Sequence, residues 1–201
     1  GLGASKIMLL HLRGSSNAPI SLQAIREEGS IAMKKIEAII KPFKLDDVKN
    51  ALELIADYDL VADGSDNFAT RFLVNDACYL AKTPLVSAAL LRFEGQISTF
   101  KAYLGGEDPC YRCIFPEAPP PGLIPTCAEG GVLGAVAGAM GSIQAVEVIK
   151  ELLGIGGSLS GSLLIYDALN TTFRKIKVRP DPECPLCGEN PTIRDLSSHA
   201  G

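Results

Sequence analysis

The sequence predicts an α/β domain with a mostly parallel sheet, closed by a four-cysteine metal site. Apolar, strand-like runs at 58–63 and 84–90 flank a segment with helical spacing, which is the βαβ signature. Four of the six cysteines fall into two C-x-x-C pairs. The 201 residues, 47% hydrophobic and 21% charged, are enough for one core.

A net charge of −4 argues against a general nucleic-acid binder, which needs clustered Lys and Arg. No basic segment followed by an apolar run reads as a signal peptide, so a cytoplasmic protein is expected. Between Gly130 and Ile149 the strongly polar residues are Gln144 and Glu147. That length could span a bilayer, but Gly and Ala dominate it and Glu147 would lie in hydrocarbon. A buried, closely packed helix is the expectation, with no membrane partner.

The pairs are Cys110-Tyr-Arg-Cys113 and Cys184-Pro-Leu-Cys187. Two residues between thiolates let a tight turn aim both sulfurs at one ion, and two such turns complete a tetrahedron. Four protein thiolates make a closed site, so the expected Zn²⁺ is structural. The rival readings are two disulfides, disfavoured without a secretion signal, and a redox pair, which should follow a strand and open a helix, as neither pair is expected to do.

Along the chain, Tyr58–Asp63 reads as a buried parallel strand and Asn67–Lys82 as a helix capped by Ser65 or Asp66. Pro84–Leu90 completes the βαβ unit, and Gln96–Ala102 is a further strand. After a proline-rich loop, Thr126-Cys-Ala-Glu129 matches the capping box that opens a long helix running to about Leu153. Ser162–Asp167 and Thr172–Val178 are two closing strands. Cys78 is expected in the core. Cys127, at the first helical position, is either a thiol activated by the helix dipole or an inert, half-buried one. Asp63 and Asp66 lie beyond a strand's carboxyl end, where open α/β sheets bind ligands and a carboxylate could hold nucleotide-bound Mg²⁺. Asn67, Arg71 and Asn75 follow at intervals of four. The plainer alternative is a capping aspartate followed by a solvated helix face.

Five segments together resemble the MoeB/ThiF/HesA family, relatives of the ubiquitin-activating enzyme. They are Asp63-Gly-Ser-Asp-Asn-Phe-Ala-Thr-Arg71, Cys110-Tyr-Arg-Cys113, Thr126-Cys-Ala-Glu-Gly-Gly131, Ile165-Tyr-Asp-Ala168 and Cys184-Pro-Leu-Cys-Gly188. The resemblance runs from about Ala51 to Leu196. It implies a Rossmann-like ThiF-type domain that uses ATP and Mg²⁺ to adenylate the C-terminal Gly-Gly of a ubiquitin-like sulfur-carrier protein (MoaD or ThiS type). Sulfuration for molybdopterin, thiamine or related synthesis follows. It further implies a homodimer, Asp66 with Asn67 and Arg71 as the Mg-ATP residues, Cys127 as a cysteine that some members link to the carrier, and the four paired cysteines as zinc ligands.

Residues 1–50 depart from that pattern. The family's N-terminal half carries a G-x-G-G-x-G loop and basic phosphate ligands, of which Gly1-Leu-Gly3 is at most a remnant, and residues 4–32 show no assignable pattern. Met33–Leu52 resembles the start of a PII nitrogen-signalling protein, with a strand at Lys35–Lys41 and a helix from Asp46. The sequence therefore divides into an unassigned 1–32, a PII-like 33–52, a ThiF/MoeB-type 53–196 truncated at its N-terminal half, and a tail at 197–201. Impaired catalysis is the matching expectation. The alternatives are a non-catalytic carrier-binding or dimerising module and a non-functional chimera.

Overall fold

The computed structural model describes residues 6–10 and 37–40 as backbone, together with residues 51–120, 123 and 127–199. In chain order the strands are β1 (Lys6–Leu10), β2 (Glu37–Ile40), β3 (Leu60–Asp63), β4 (Leu85–Leu91), β5 (Glu94–Phe100), β6 (Ser162–Asp167) and β7 (Thr172–Lys177). The helices are α1 (Ala51–Ala56), α2 (Phe68–Ala81), α3 (Tyr111–Ile114), α4 (Cys127–Gly130) and α5 (Gly134–Leu153). All seven strands form one sheet in the order β2-β1-β3-β4-β5-β6-β7.

The sheet is mixed, which corrects the expectation of a mostly parallel one. β2, β1, β3 and β4 run parallel, while β5, β6 and β7 each pair antiparallel to the strand before. For β4–β5 and β6–β7 the reason is loop length: both are short hairpins, and a hairpin can only join antiparallel strands. β1 is a second correction, because residues 4–32 carried no assigned pattern. Lys6-Ile-Met-Leu-Leu10 is a short apolar run without alternation, the form a parallel strand takes. It lies between β2 and β3. The strand expected at Lys35–Lys41 is β2; the helix start at Asp46 lies outside the described residues.

The βαβ unit of β3, α2 and β4 stands as expected. All four residues of β3 are buried. From Arg71 to Cys78 every residue of α2 is buried, so this helix is covered all round rather than presenting a solvated stripe. On one face of the sheet, α1 and α2 pack Ile55, Phe72, Leu73 and Val74 against Val61 and Leu85. On the other, α5 sets Val136, Met140 and Val148 against Leu60, Ala62, Val86 and Ile97. Its polar Gln144 donates to the carbonyls of Asp63 (2.9 Å) and Val86 (3.0 Å), fastening two strand ends. Glu147 pairs with Lys150 at 2.5 Å. Among the described residues no helix is long and apolar enough to cross a membrane.

The long helix expected to start at Cys127 is two helices. Gly131 takes a positive φ of 73°, a conformation that glycine adopts freely and that ends α4. The following residues bridge to Arg92, whose N–H bonds Gly131 O at 3.1 Å and whose carbonyl accepts from Leu133 N at 3.3 Å. Cys127 therefore opens a single turn, and a helix that short offers little dipole to activate a thiol. Thr126, the expected cap, lies outside the described residues.

Candidate functional site

The cysteine cage forms where a mid-chain loop meets the tail. Cys110 caps α3 and Cys113 lies within it, so this pair does open a short helix, contrary to the sequence expectation. The second pair is a knuckle in which Gly188 N bonds Cys184 O at 3.0 Å. A Cβ at Gly188 would meet Pro182 O at 2.5 Å, so the knuckle requires glycine there. Sulfur separations are 3.8 Å (Cys110–Cys113), 3.5 Å (Cys110–Cys184), 3.4 Å (Cys113–Cys187) and 3.4 Å (Cys110–Cys187). These are far beyond a disulfide bond of about 2.05 Å, and all four thiols are free. All four lie within 4.8 Å of one another, a cage that could hold a single metal ion. Hydrogen bonds with the neighbouring thiols, that of Cys110 first, lower the Cys113 thiol. Asp181 N also donates to Cys113 Sγ, at 3.4 Å.

Between the two sulfurs of the first pair, the chain turns its other side chains onto α2. Arg112 forks onto Asp76 with bonds of 2.8 and 2.7 Å, and lies over the Phe72 ring at 4.6 Å. His199, at the end of the tail, reaches the same carboxylate at 2.8 Å, and Asn75 donates to it at 3.0 Å. Burial alone would raise the Asp76 carboxyl. The hydrogen bonds from His199 and Arg112, with the charge of Arg112, outweigh it and hold the group below the ordinary carboxylate value. Sequence reasoning missed this clamp: Asp76 meets partners 36 and 123 residues away, and no local pattern marks such a contact.

Because that carboxyl is lowered, its contribution to stability is complete above its ordinary pKa of about 4 and fades as pH falls through the folded value. Asp76→Ala strands Arg112 and is expected to cost about 3–5 kcal/mol in urea unfolding at pH 7. The gap between variant and parent should narrow as the measurement is repeated at progressively more acid pH below 4. A gap that stays constant would show that the carboxylate charge contributes nothing.

At the carboxyl ends of β3 and β4 the Asp63–Arg71 segment rims a cleft of about 290 Å³. Asp66, Asn67, Phe68 and Arg71 line one wall. Leu91, Glu94 and Gly95 come from the β4–β5 hairpin, and Ile165 and Arg174 from β6 and β7. The two aspartates separate clearly. Asp63 is 1% exposed, accepting from Ser65 N (2.9 Å) and Ser87 Oγ (3.0 Å), and so braces the strand end. Asp66 is exposed, with a long 3.5 Å bond from Asn67. The N-cap of α2 is Asn67, which accepts from Thr70 N at 2.8 Å, rather than Ser65 or Asp66. Capping therefore does not occupy Asp66. Arg71 is 9% exposed and donates through Nε and Nη2 to Ser65 O at 3.0 and 2.6 Å. Cys127 opens α4, tied through the Gly131–Leu133 segment to Arg92, between the cleft-lining Leu91 and Glu94.

An open α/β sheet with a cleft at the carboxyl ends of its parallel strands has the layout in which folds of this class bind ligands. The family profile is more specific: residues 22–186 match the ThiF family, and the chain belongs to it. The match begins upstream of residue 51, where the motif resemblance starts. The chain is 55% identical over 150 residues to a "Sulfur carrier protein adenylyltransferase" of Thermus thermophilus, covering 74% of this chain and 55% of that one. It is 47% identical over 187 residues to "Adenylyltransferase and sulfurtransferase MOCS3" of Mus musculus, covering 92% of this chain and 39% of that one. It thus spans only part of the length of these relatives. Among solved structures, E. coli MccB shares the fold, with a TM-score of 0.60 at 15% identity over 78% of this chain and 46% of that one.

Proposed function

We propose that this chain takes part in ATP-dependent adenylation of the C-terminal carboxylate of a ubiquitin-like sulfur-carrier protein. The observation that carries the reading is the Asp66–Asn67–Arg71 wall of the 290 Å³ cleft. It occurs in a chain 55% identical over 150 residues to a relative named for that chemistry. Mg-ATP supplies the adenylyl group: the carboxylate oxygen bonds the α-phosphorus, the bond to the β-phosphate breaks, and pyrophosphate leaves. Asp66 would bind the Mg²⁺, since its exposed carboxylate is spared from capping. Asn67 and Arg71 would orient the phosphates, with Arg71 anchored on Ser65 O. Cys127 would engage the carrier after activation.

We assign the cage to Zn²⁺. A tetrahedron with Zn–S bonds of about 2.3 Å has sulfur–sulfur edges of about 3.8 Å. The spacings of 3.4–3.8 Å between Cys110, Cys113, Cys184 and Cys187 sit just inside that value. A homodimer is part of the same reading, supported by the exposed apolar residues Val146, Ile149 and Leu153 on α5. The setting would be cytoplasmic.

The test is carrier-dependent exchange of labelled pyrophosphate into ATP. Exchange that requires the carrier's terminal glycine supports adenylation. Carrier binding by calorimetry with no exchange would instead favour a carrier-binding module.

A further inference from the structure

The cleft has a floor as well as the Asp66–Arg71 wall, and the floor is antiparallel sheet. Gln96 of β5, Ile165 of β6 and Arg174 of β7 are cross-strand neighbours in a single row, and all three line the cleft. The row leaves the sheet on the face away from α5, because Leu164 and Tyr166, the alternate residues of β6, pack into the α5 cluster. Two residues along the same face, Leu163 lies opposite Ile176, which is exposed. The cleft therefore continues into an apolar strip across β6 and β7, with one arginine set in it.

Charge narrows what that strip suits. Two arginines line the cleft, Arg71 and Arg174. Arg71 has Nε and Nη2 engaged with Ser65 O, whereas Arg174 is exposed and, among the described residues, makes no hydrogen bond or salt bridge. A free guanidinium offers two parallel N–H donors, the fork that fits a carboxylate. Glu94, exposed on the same face, leaves this side with one charge of each sign. That balance, with Ile165 and Ile176 as neighbours, fits the end of an extended peptide chain better than a triphosphate. We propose that Arg174 is a specificity-determining residue that binds the terminal carboxylate of the carrier as its last residues cross Ile165 toward Asp66. The identity of the carrier rests on the adenylation reading; what is added is the wall that receives it. Adenylation removes the charge of that carboxylate, so the ion pair acts on docking of the carrier rather than on the chemical step.

In the full-length, metal-loaded chain, Arg174→Ala is expected to weaken calorimetric binding of a carrier ending in Gly-Gly about tenfold, the effect of losing one charge-assisted hydrogen bond. Amidating the carrier's C-terminus should cost the parent the same factor and cost Arg174→Ala nothing further. Lys175→Ala removes an equal charge from the other face of β7, opposite Leu164, and should bind as the parent does. Arg174 is exposed, so Tm and metal content should stay near the parent values. In the pyrophosphate assay the KM for the carrier should rise and the KM for ATP should not. An unchanged Kd in Arg174→Ala, an equal loss in Lys175→Ala, or a rise in the KM for ATP instead would each overturn the proposal. A parent chain that binds the carrier without pyrophosphate exchange ends the adenylation reading, while the Kd comparison still decides the role of Arg174. A parent chain that binds no carrier ends both.

Discussion

Cys184→Ser is expected to lower Tm by about 10 °C and to release the metal. Two strands of chain meet in the cage, the 110–113 turn and the 184–188 knuckle, and between them lie β6, β7 and the whole of α5. The cage has its own small core, with Ala102, Cys110, Cys184 and Leu186 buried together, but that core is too small to hold the tail alone. An ion present at a thousand times its Kd contributes about 4 kcal/mol to the fold that binds it. For a domain of this size that corresponds to about 8–16 °C in Tm. Part of the loss is local. Without the cage, Arg112 and His199 lose the frame that presents them to Asp76, so the clamp on α2 should loosen as well. Metal analysis of the purified protein should return about one zinc per chain, and a chelator should reproduce the effect of the variant. Protein lacking the metal, with the four thiols oxidised in pairs, would overturn the assignment.

How much of this was legible beforehand depends on the range of the interaction. The C-x-x-C pairs announce themselves because the spacing within each turn is local, and only their meeting across 74 residues had to be inferred. The βαβ unit was legible for the same reason: β3 is an apolar run closed by Asp63, and α2 has clean helical spacing. β1 was missed because five residues with no alternation carry little periodic signal. The break at Gly131 was missed because apolar residues continue on both sides of it, and a positive φ is a backbone property that the neighbouring side chains do not reveal. In the site, a solvated helix face stood as the plainer alternative for Arg71 and Asn75 because their spacing is helical and their chemistry polar. Asn75 is taken by the Tyr111 N–H, 36 residues on in the sequence, while Arg71 folds back onto Ser65 O. Asp76 lies wholly in that blind region. It looks like one more surface carboxylate until Arg112 and His199 close on it.

Asp66→Ala is expected to reduce carrier-dependent pyrophosphate exchange by about 10²–10³-fold, the loss typical of removing one preorganised electrostatic group. The argument turns on the contrast with Asp63, three residues earlier in the same segment. Asp63 is 1% exposed and spends both carboxylate oxygens on Ser65 and Ser87, so replacing it should unfold the strand end and say little about chemistry. Asp66 is exposed at the cleft wall, and the N-cap duty that would give it a structural role belongs to Asn67. Its substitution should therefore leave Tm within the narrow range typical of surface changes, about 0.5 kcal/mol, and leave the metal content intact. Asp66→Asn sharpens the test, since it keeps the shape and removes the charge. If the carboxylate serves to bind a divalent ion, Asp66→Asn should be nearly as impaired as Asp66→Ala, and the apparent affinity for Mg²⁺ in the exchange assay should weaken in both. An Asp66→Asn chain with the parent's exchange rate and Mg²⁺ dependence would remove Asp66 from the reaction.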